Sequence, residues 1–269
     1  MNKVIITLTT VPERLDSNPT GLKKCINSLL GQDYKDFEIH FNIPETYALT
    51  NEKYIIPKWL SEDEYFTQEE KDKIKIFRTA DFGPITKILP TIFRVSDPKT
   101  ILIVVDDDLE YHSGMICEHL RLQKTQDAVF GYDGRIRYDG PIFEDRDIRN
   151  YFVVSVFEDT RVRIMQHYKS VSYKRHYFTD NLLEFLYKTQ SDDITLSAYM
   201  NFKNIPLIVA KYSNEEQLYS LKDWKRKGGC ITFPVLAHTD ADIKNTGCQH
   251  PLAPEDKFFI PEEFKKYLA

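Results

Sequence analysis

Residues 101–109 read Ile-Leu-Ile-Val-Val-Asp-Asp-Asp-Leu, five apolar residues that break off into three carboxylates. An apolar run with no polar alternation is buried on both faces, as a central strand of a parallel sheet is. Adjacent negative charges at the mouth of a sheet repel one another unless a cation binds there, so Asp106, Asp107 and Asp108 ask for a metal, with a solvated Asp-rich turn as the alternative. If the extended geometry persists, the period of two puts Asp106 and Asp108 on one face and Asp107 on the other. A hard ion such as Mg²⁺ or Mn²⁺ takes one or two carboxylates and completes its shell with phosphate oxygens and water, so a diphosphate fits naturally beside such a site.

Working outward, residues 4–8 read as a buried strand, 21–30 as a helix with Leu22, Cys25, Ile26, Leu29 and Leu30 on one face, and 37–43 as a second strand. A third strand is expected over 74–77 and a helix over 84–95, opened by Gly83-Pro84. This alternation predicts an α/β fold with a mostly parallel central sheet and helices on both faces. Ligands in such sheets sit beyond the carboxyl ends of the strands, so the residues after Leu8, Phe77 and Val105 should share one crevice. Residues 45–73 read as a polar surface wrap with a short helix near 67–73. From 128 to 173 short alternating stretches, with turn signals at Asp133-Gly134 and Asp139-Gly140, predict added antiparallel strands. Helices over 180–187 and 192–202 and a strand over 206–209 complete a domain of residues 1–212, with a nucleotide-binding half (1–110) and an acceptor-binding half (111–212). Residues 213–269 lose periodicity and read as a lid or tail packed on the same domain.

The chain has 269 residues, 42% of them hydrophobic, enough for one sizeable core. Its 36 Lys and Arg against 41 Asp and Glu give a formal charge of −5, which provides no basic field for nucleic acid or anionic lipid. The longest apolar runs, 101–105 and 153–157, fall far short of the roughly 18 to 20 residues that span a bilayer, so no integral membrane segment is expected. The four cysteines, Cys25, Cys117, Cys230 and Cys248, lack metal-pair spacing, and free thiols in the cytoplasm are the expectation.

Read together, four segments resemble the GT-A glycosyltransferases that use sugar nucleotides: 101–109 as an apolar strand running into a DxD motif, Thr9-Thr10-Val11-Pro12-Glu13-Arg14, Gly83-Pro84-Ile85-Thr86-Lys87, and Ser191-Asp192-Asp193. The resemblance covers residues 4–210. It implies a GT-A, Rossmann-like fold, Mn²⁺ or Mg²⁺, a UDP- or GDP-linked sugar as donor and a glycan hydroxyl as acceptor. It also implies that Thr9, Pro12 and Arg14 surround the nucleotide, that Lys87 contacts it, and that Asp106 and Asp107 approach the nucleoside. Asp108 is the leading metal ligand, with Asp106 and His238 beside it and His250 as a rival to His238.

Lys87 falls in the first turn of its expected helix, where the dipole favours an anion that helix amides and the lysine could hold together. Ser191 or Asp192 caps the helix at 192, and a second acid exceeds what capping needs. Inverting members of the family use an Asp at such a helix start as general base, which implies Asp193 as base and Asp192 as acceptor contact. An Asp-Asp pair stands here where the family more often has Glu-Asp. Lys225, Arg226 and Lys227 form a basic run that reads first as a solvated charge cluster and second as a cover over the diphosphate, and Trp224 and Tyr132 read first as packing residues and second as sugar-stacking rings.

Two other readings compete. A metal-dependent phosphohydrolase with an Asp nucleophile needs Thr or Val where Glu110 stands, and a noncatalytic carbohydrate-binding shell would not need both Asp108 and Asp193. A nucleotidyltransferase loop rich in Gly is missing from 9–14, as are a Walker loop, a dinucleotide fingerprint and a zinc-protease helix. The number of chains in the active assembly, the sugar and the acceptor are not encoded in any motif.

Overall fold

The structure, a computed structural model, describes residues 3–61, 65–137, 151–154, 159–186 and 191–211. The expected lid over 213–269, with Trp224, Lys225 to Lys227, His238 and His250, lies outside the described residues, as does the turn signal at Asp139-Gly140.

In chain order the strands are β1 (Val4–Leu8), β2 (Phe37–Pro44), β3 (Thr46–Tyr47), β4 (Glu52–Lys53), β5 (Ile74–Thr79) and β6 (Ile101–Val104). They continue as β7 (Val129–Gly131), β8 (Gly134–Arg137), β9 (Tyr151–Val154), β10 (Thr160–Val162), β11 (Ile164–Met165), β12 (Val171–Lys174) and β13 (Leu207–Val209). The α-helices are α1 (Pro12–Leu15), α2 (Thr20–Leu30), α3 (Lys58–Ser61), α4 (Gln68–Lys73), α5 (Leu89–Arg94), α6 (Met115–Leu122) and α7 (Asp192–Phe202).

Among the described residues, eight strands form one sheet in the order β10-β13-β7-β12-β6-β1-β2-β5. β1, β2, β5 and β6 are mutually parallel, and β13 runs parallel to β7. The antiparallel strand β12 joins the two groups. The chain passes from β1 through β2 to β5 on one side and then crosses back to place β6 on the other side of β1. That reversal is the switch point where a doubly wound sheet opens a crevice.

Alternation along the central strands feeds two cores. Val4, Ile6, Leu8, Ile101, Ile103 and Val105 pack with Leu22, Cys25, Ile26 and Leu29 of α2 and with Met115 and Ile116 of α6. Ile5, Leu102 and Val104 pack on the opposite face with Leu89 and Ile92 of α5 and Leu196, Tyr199 and Met200 of α7. Each fully buried aliphatic side chain contributes about 1.5–3 kcal/mol, so both layers pin the strands between them.

The structure departs from the sequence reading at four places. The helix expected over 84–95 is split into a 3₁₀ turn, Ile85–Lys87, and α5. Pro90 has no N–H for the Thr86 carbonyl, and the Lys87 carbonyl accepts from the Thr7 hydroxyl and the Asn42 amide instead of from the helix ladder. The helix expected over 180–187 is a 3₁₀ segment, Asp180–Phe185. The Asp133-Gly134 turn signal opens strand β8, and α6 appears where no helix was expected. By contrast α7 has the expected bounds, with the Ser191 hydroxyl accepting the Ile194 N–H at 3.4 Å. The helix near 67–73 is α4, closed at its start by a Thr67/Glu70 capping box.

Candidate active site

The acid triplet follows β6 at the switch point. Val105 still pairs with Thr7, then Asp107 and Asp108 form a turn, so the extended geometry does not persist through the triplet. The outcome is nonetheless alternating: the Asp106 and Asp108 side chains are 28% and 24% exposed, whereas Asp107 is buried. Tyr111 clamps the turn, its hydroxyl accepting the Asp106 N–H at 2.9 Å and lying 3.1 Å from both the Asp106 and Tyr168 carbonyls.

Two cations of the chain itself answer these charges. Arg14 Nη1 stands 2.8 Å from Asp107 Oδ1 and 2.9 Å from Asp108 Oδ2. The Thr10 hydroxyl donates a short hydrogen bond to the other oxygen of Asp107. Even so, burial outweighs the Arg14 charge and raises the Asp107 carboxyl to about 6. Burial, then the neighbouring Asp106, also raises Asp108. Burial opposes the charged form of Arg14, but Asp107, Asp108 and Asp106 together raise it above its ordinary value. Pro12 opens α1 and is buried with Leu15, which fixes the direction in which Arg14 leaves the short helix. Thr9 turns toward β2, donating to the Asn42 carbonyl at 2.7 Å.

Lys87 is the second cation. Its carbonyl is tied to β1 and β2 by Thr7 and Asn42, and its ammonium lies 2.5 Å from Asp106 Oδ1 and 2.8 Å from Asp192 Oδ2. Burial works against its charge, yet Asp106 and Asp192 raise it above the usual lysine value. Lys87 therefore joins the acid turn after β6 to the first turn of α7.

At the start of α7, Asp193 Oδ1 accepts the backbone N–H of His167 at 2.9 Å and lies 2.7 Å from its Nδ1. His167 precedes β12, whose antiparallel register sets Val171 against Val104 and so brings residues 167–169 to the same edge. Asp133, just past β7, is buried there too, accepting from the Tyr168 hydroxyl and lying 2.9 Å from the Lys169 ammonium.

Among the described residues, His167, Asp192 and Asp193 form a group with metal-ligand spacing, their ligand-type atoms lying within 4.8 Å of one another. The Lys87 ammonium already sits on Asp192, which disfavours a second cation in that group. Asp106 and Asp108 are partly exposed and offer the oxygen donors a hard divalent ion takes, but Lys87 and Arg14 sit on them, so an ion there would share or displace those cations. At this edge of the sheet six carboxylates, Asp106, Asp107, Asp108, Asp133, Asp192 and Asp193, meet Arg14, Lys87 and Lys169, a negative surplus that a further cation would relieve.

Of the residues singled out in the sequence, Arg14, Lys87, Asp106, Asp107, Asp108, Asp192 and Asp193 are brought together. Thr9 and Pro12 shape the loop that carries Arg14. His238 lies outside the described residues. Tyr132 is buried with its ring 5.3 Å from that of His119, which makes it a packing residue. Tyr111, His167 and Lys169 escaped the sequence reading because none sits in a motif, and Thr10 and Asp133, though inside a quoted motif and a turn signal, were given no role because their partners come only through the fold.

No family model and no curated protein sequence matches the chain. Solved structures similar to it include TarS 1–349 of S. aureus, at 15% identity and TM-score 0.47, over 82% of this chain and 63% of that one. The chain thus spans less than two thirds of that structure's length. Others are an apo UDP-glucose pyrophosphorylase, at 10% identity and TM-score 0.45 over 84% and 99%, and the 2-C-methyl-D-erythritol 4-phosphate cytidylyltransferase of Francisella tularensis, at 14% and 0.43 over 84% and 100%. Likeness at this level leaves function to be read from the site. No helix among the described residues is long and apolar enough to cross a membrane, and Cys25 and Cys117 are free thiols.

Proposed function

We propose that this chain is a glycosyltransferase that moves a sugar from a nucleoside-diphosphate donor, UDP- or GDP-linked, to a hydroxyl of a glycan acceptor with inversion at the anomeric carbon. The observation that carries the reading is the Lys87 bridge from Asp106 to Asp192, because it ties the acid turn and the start of α7 to one side chain at the switch point of the sheet. Arg14 and Lys87, beside the acid turn, would supply positive charge to a diphosphate bound there.

Asp106 and Asp108 would hold Mn²⁺ or Mg²⁺, with His238 as a further candidate ligand. Such an ion supplies Lewis-acid stabilisation of a departing diphosphate. Asp107, buried against Thr10 and Arg14, keeps the turn in place beneath the nucleoside. Asp193 takes the proton of the acceptor hydroxyl as its oxygen bonds to the anomeric carbon and the bond to the diphosphate breaks. Asp192, held by Lys87, contacts the acceptor.

A thermal-shift screen of the full chain against nucleoside diphosphates and their sugars, with and without Mn²⁺, tests the binding half of the proposal. NMR of the product tests the chemistry. Stabilisation by free glycan alone would favour a carbohydrate-binding shell, and a product with the donor's anomeric configuration would reject inversion.

A further inference from the structure

We infer that His167 is a positioning residue that holds the Asp193 carboxylate in one orientation, and that Tyr173 sets the imidazole tautomer which lets it do so; the inference rests on Asp193 acting as the base. Two donors of His167 converge on Oδ1 of Asp193, the backbone N–H at 2.9 Å and ring Nδ1 at 2.7 Å. A carboxylate gripped at one oxygen by two donors cannot rotate without losing both. Ring Nε2 lies 2.5 Å from the Tyr173 hydroxyl, and the two rings are stacked 12° apart at 5.9 Å.

Tyr173 is fully buried, and burial together with Asp192 and Asp193 raises its phenol well above the ordinary value, so the hydroxyl keeps its proton. A buried O–H that donates to nothing is costly, and His167 Nε2 is the acceptor the described residues offer it. Tyr173 therefore donates to Nε2, which leaves the ring proton on Nδ1, directed at Asp193. Among the described residues, the remaining charged groups facing His167 are Asp192, whose Oδ2 is 3.4 Å from Nδ1, and Lys87 beyond it, which pairs with Asp192 and leaves Nδ1 to Asp193. With a proton on Nδ1 that nitrogen has no lone pair for a metal, so the group His167, Asp192 and Asp193 is an orienting device and not an ion site.

Imidazole ¹⁵N NMR of the full chain tests this without any substrate. The expected spectrum shows His167 protonated at Nδ1 and bare at Nε2, unchanged by Mg²⁺, while Tyr173→Phe admits the other tautomer. Protonation at Nε2 in the wild type, or a metal-induced shift of the Nδ1 resonance, overturns the inference.

Turnover tests the link to the base. His167→Leu is expected to lower kcat about 100-fold with the donor KM unchanged, as a misplaced reacting group does. His167→Asn, which keeps a side-chain N–H near the Nδ1 position, restores most of the loss. Equal losses in both variants, or a loss confined to KM, count against positioning. Should His167→Leu fail to fold, Tyr173→Phe gives the same kinetic comparison with one oxygen removed. A wild type that turns over no nucleotide sugar refutes the reaction itself, and the NMR result then decides separately whether Tyr173 and His167 orient Asp193.

Discussion

The ammonium of Lys87 lies 2.8 Å from Oδ2 of Asp192, a contact between the turn before α5 and the first residue of α7. With Asp106 on its other side, the lysine serves two carboxylates from a buried position. Removing one partner of such a pair leaves uncompensated charge in the interior, which costs about 3–5 kcal/mol. Lys87→Met should therefore destabilise the chain by that order in denaturant titrations. Adding Asp192→Asn should recover part of the loss; if the double variant is less stable than the single one, the ion pair is not the source of the cost.

The raised carboxyl of Asp107 gives stability a pH dependence of unusual sign. Its folded value, about 6, lies above its ordinary 3.8, so between those values the folded chain binds more protons than the unfolded one. Its contribution is present in full below the lower value and is lost as pH rises to about 6, a difference on the order of 3 kcal/mol. Burial lowers His119 to about 3 and His40 to about 4, and these groups act oppositely, destabilising the fold as pH falls below about 6.5. Unfolding free energies of Asp107→Asn should rise more steeply from pH 4 to 6 than those of the wild type. Parallel curves would show that Asp107 does not titrate there.

Asp193→Asn should depress transfer about 10²–10⁴-fold, the usual worth of a general base, while leaving affinity for a nucleoside diphosphate intact. Steady-state kinetics with calorimetry of donor binding separates the two. Full activity in this variant would remove Asp193 from the chemistry.

Asp108→Asn should abolish the dependence of nucleoside-diphosphate binding on Mn²⁺ with little change in fold, because its carboxylate is partly exposed and meets Arg14, which retains Asp107. Calorimetry with the ion added or chelated gives the answer. An unaltered Mn²⁺ requirement would move the ion to other ligands.

Much of this architecture was legible in the chain. Strands β1, β2 and β6 and helix α2 announce themselves through apolar runs or helical spacing, and Ser191 fixes the start of α7, because local patterning and capping decide such elements. The acid turn and Arg14 were legible because they follow β6 and β1, whereas Lys87 was singled out on a helix start that is instead the end of a 3₁₀ turn. What neighbours do across space was not. The break at Ile88 needs Thr7 and Asn42 to capture a carbonyl from two other strands, and His167 gains its role only when β12 inserts antiparallel beside β6. The triplet was read as a demand for a metal, whereas Arg14 and Lys87 already answer much of its charge.

Tyr111 draws these parts into a mechanical relation. One phenol oxygen meets the backbone on both sides of Asp106 and the carbonyl of Tyr168, next in sequence to His167. A shift of the acid turn would therefore strain a hydrogen bond to the backbone beside His167, whose N–H and Nδ1 meet Asp193. Tyr111 is thus a shared anchor: the turn after β6 and the segment before β12 cannot part without breaking a hydrogen bond to one phenol oxygen.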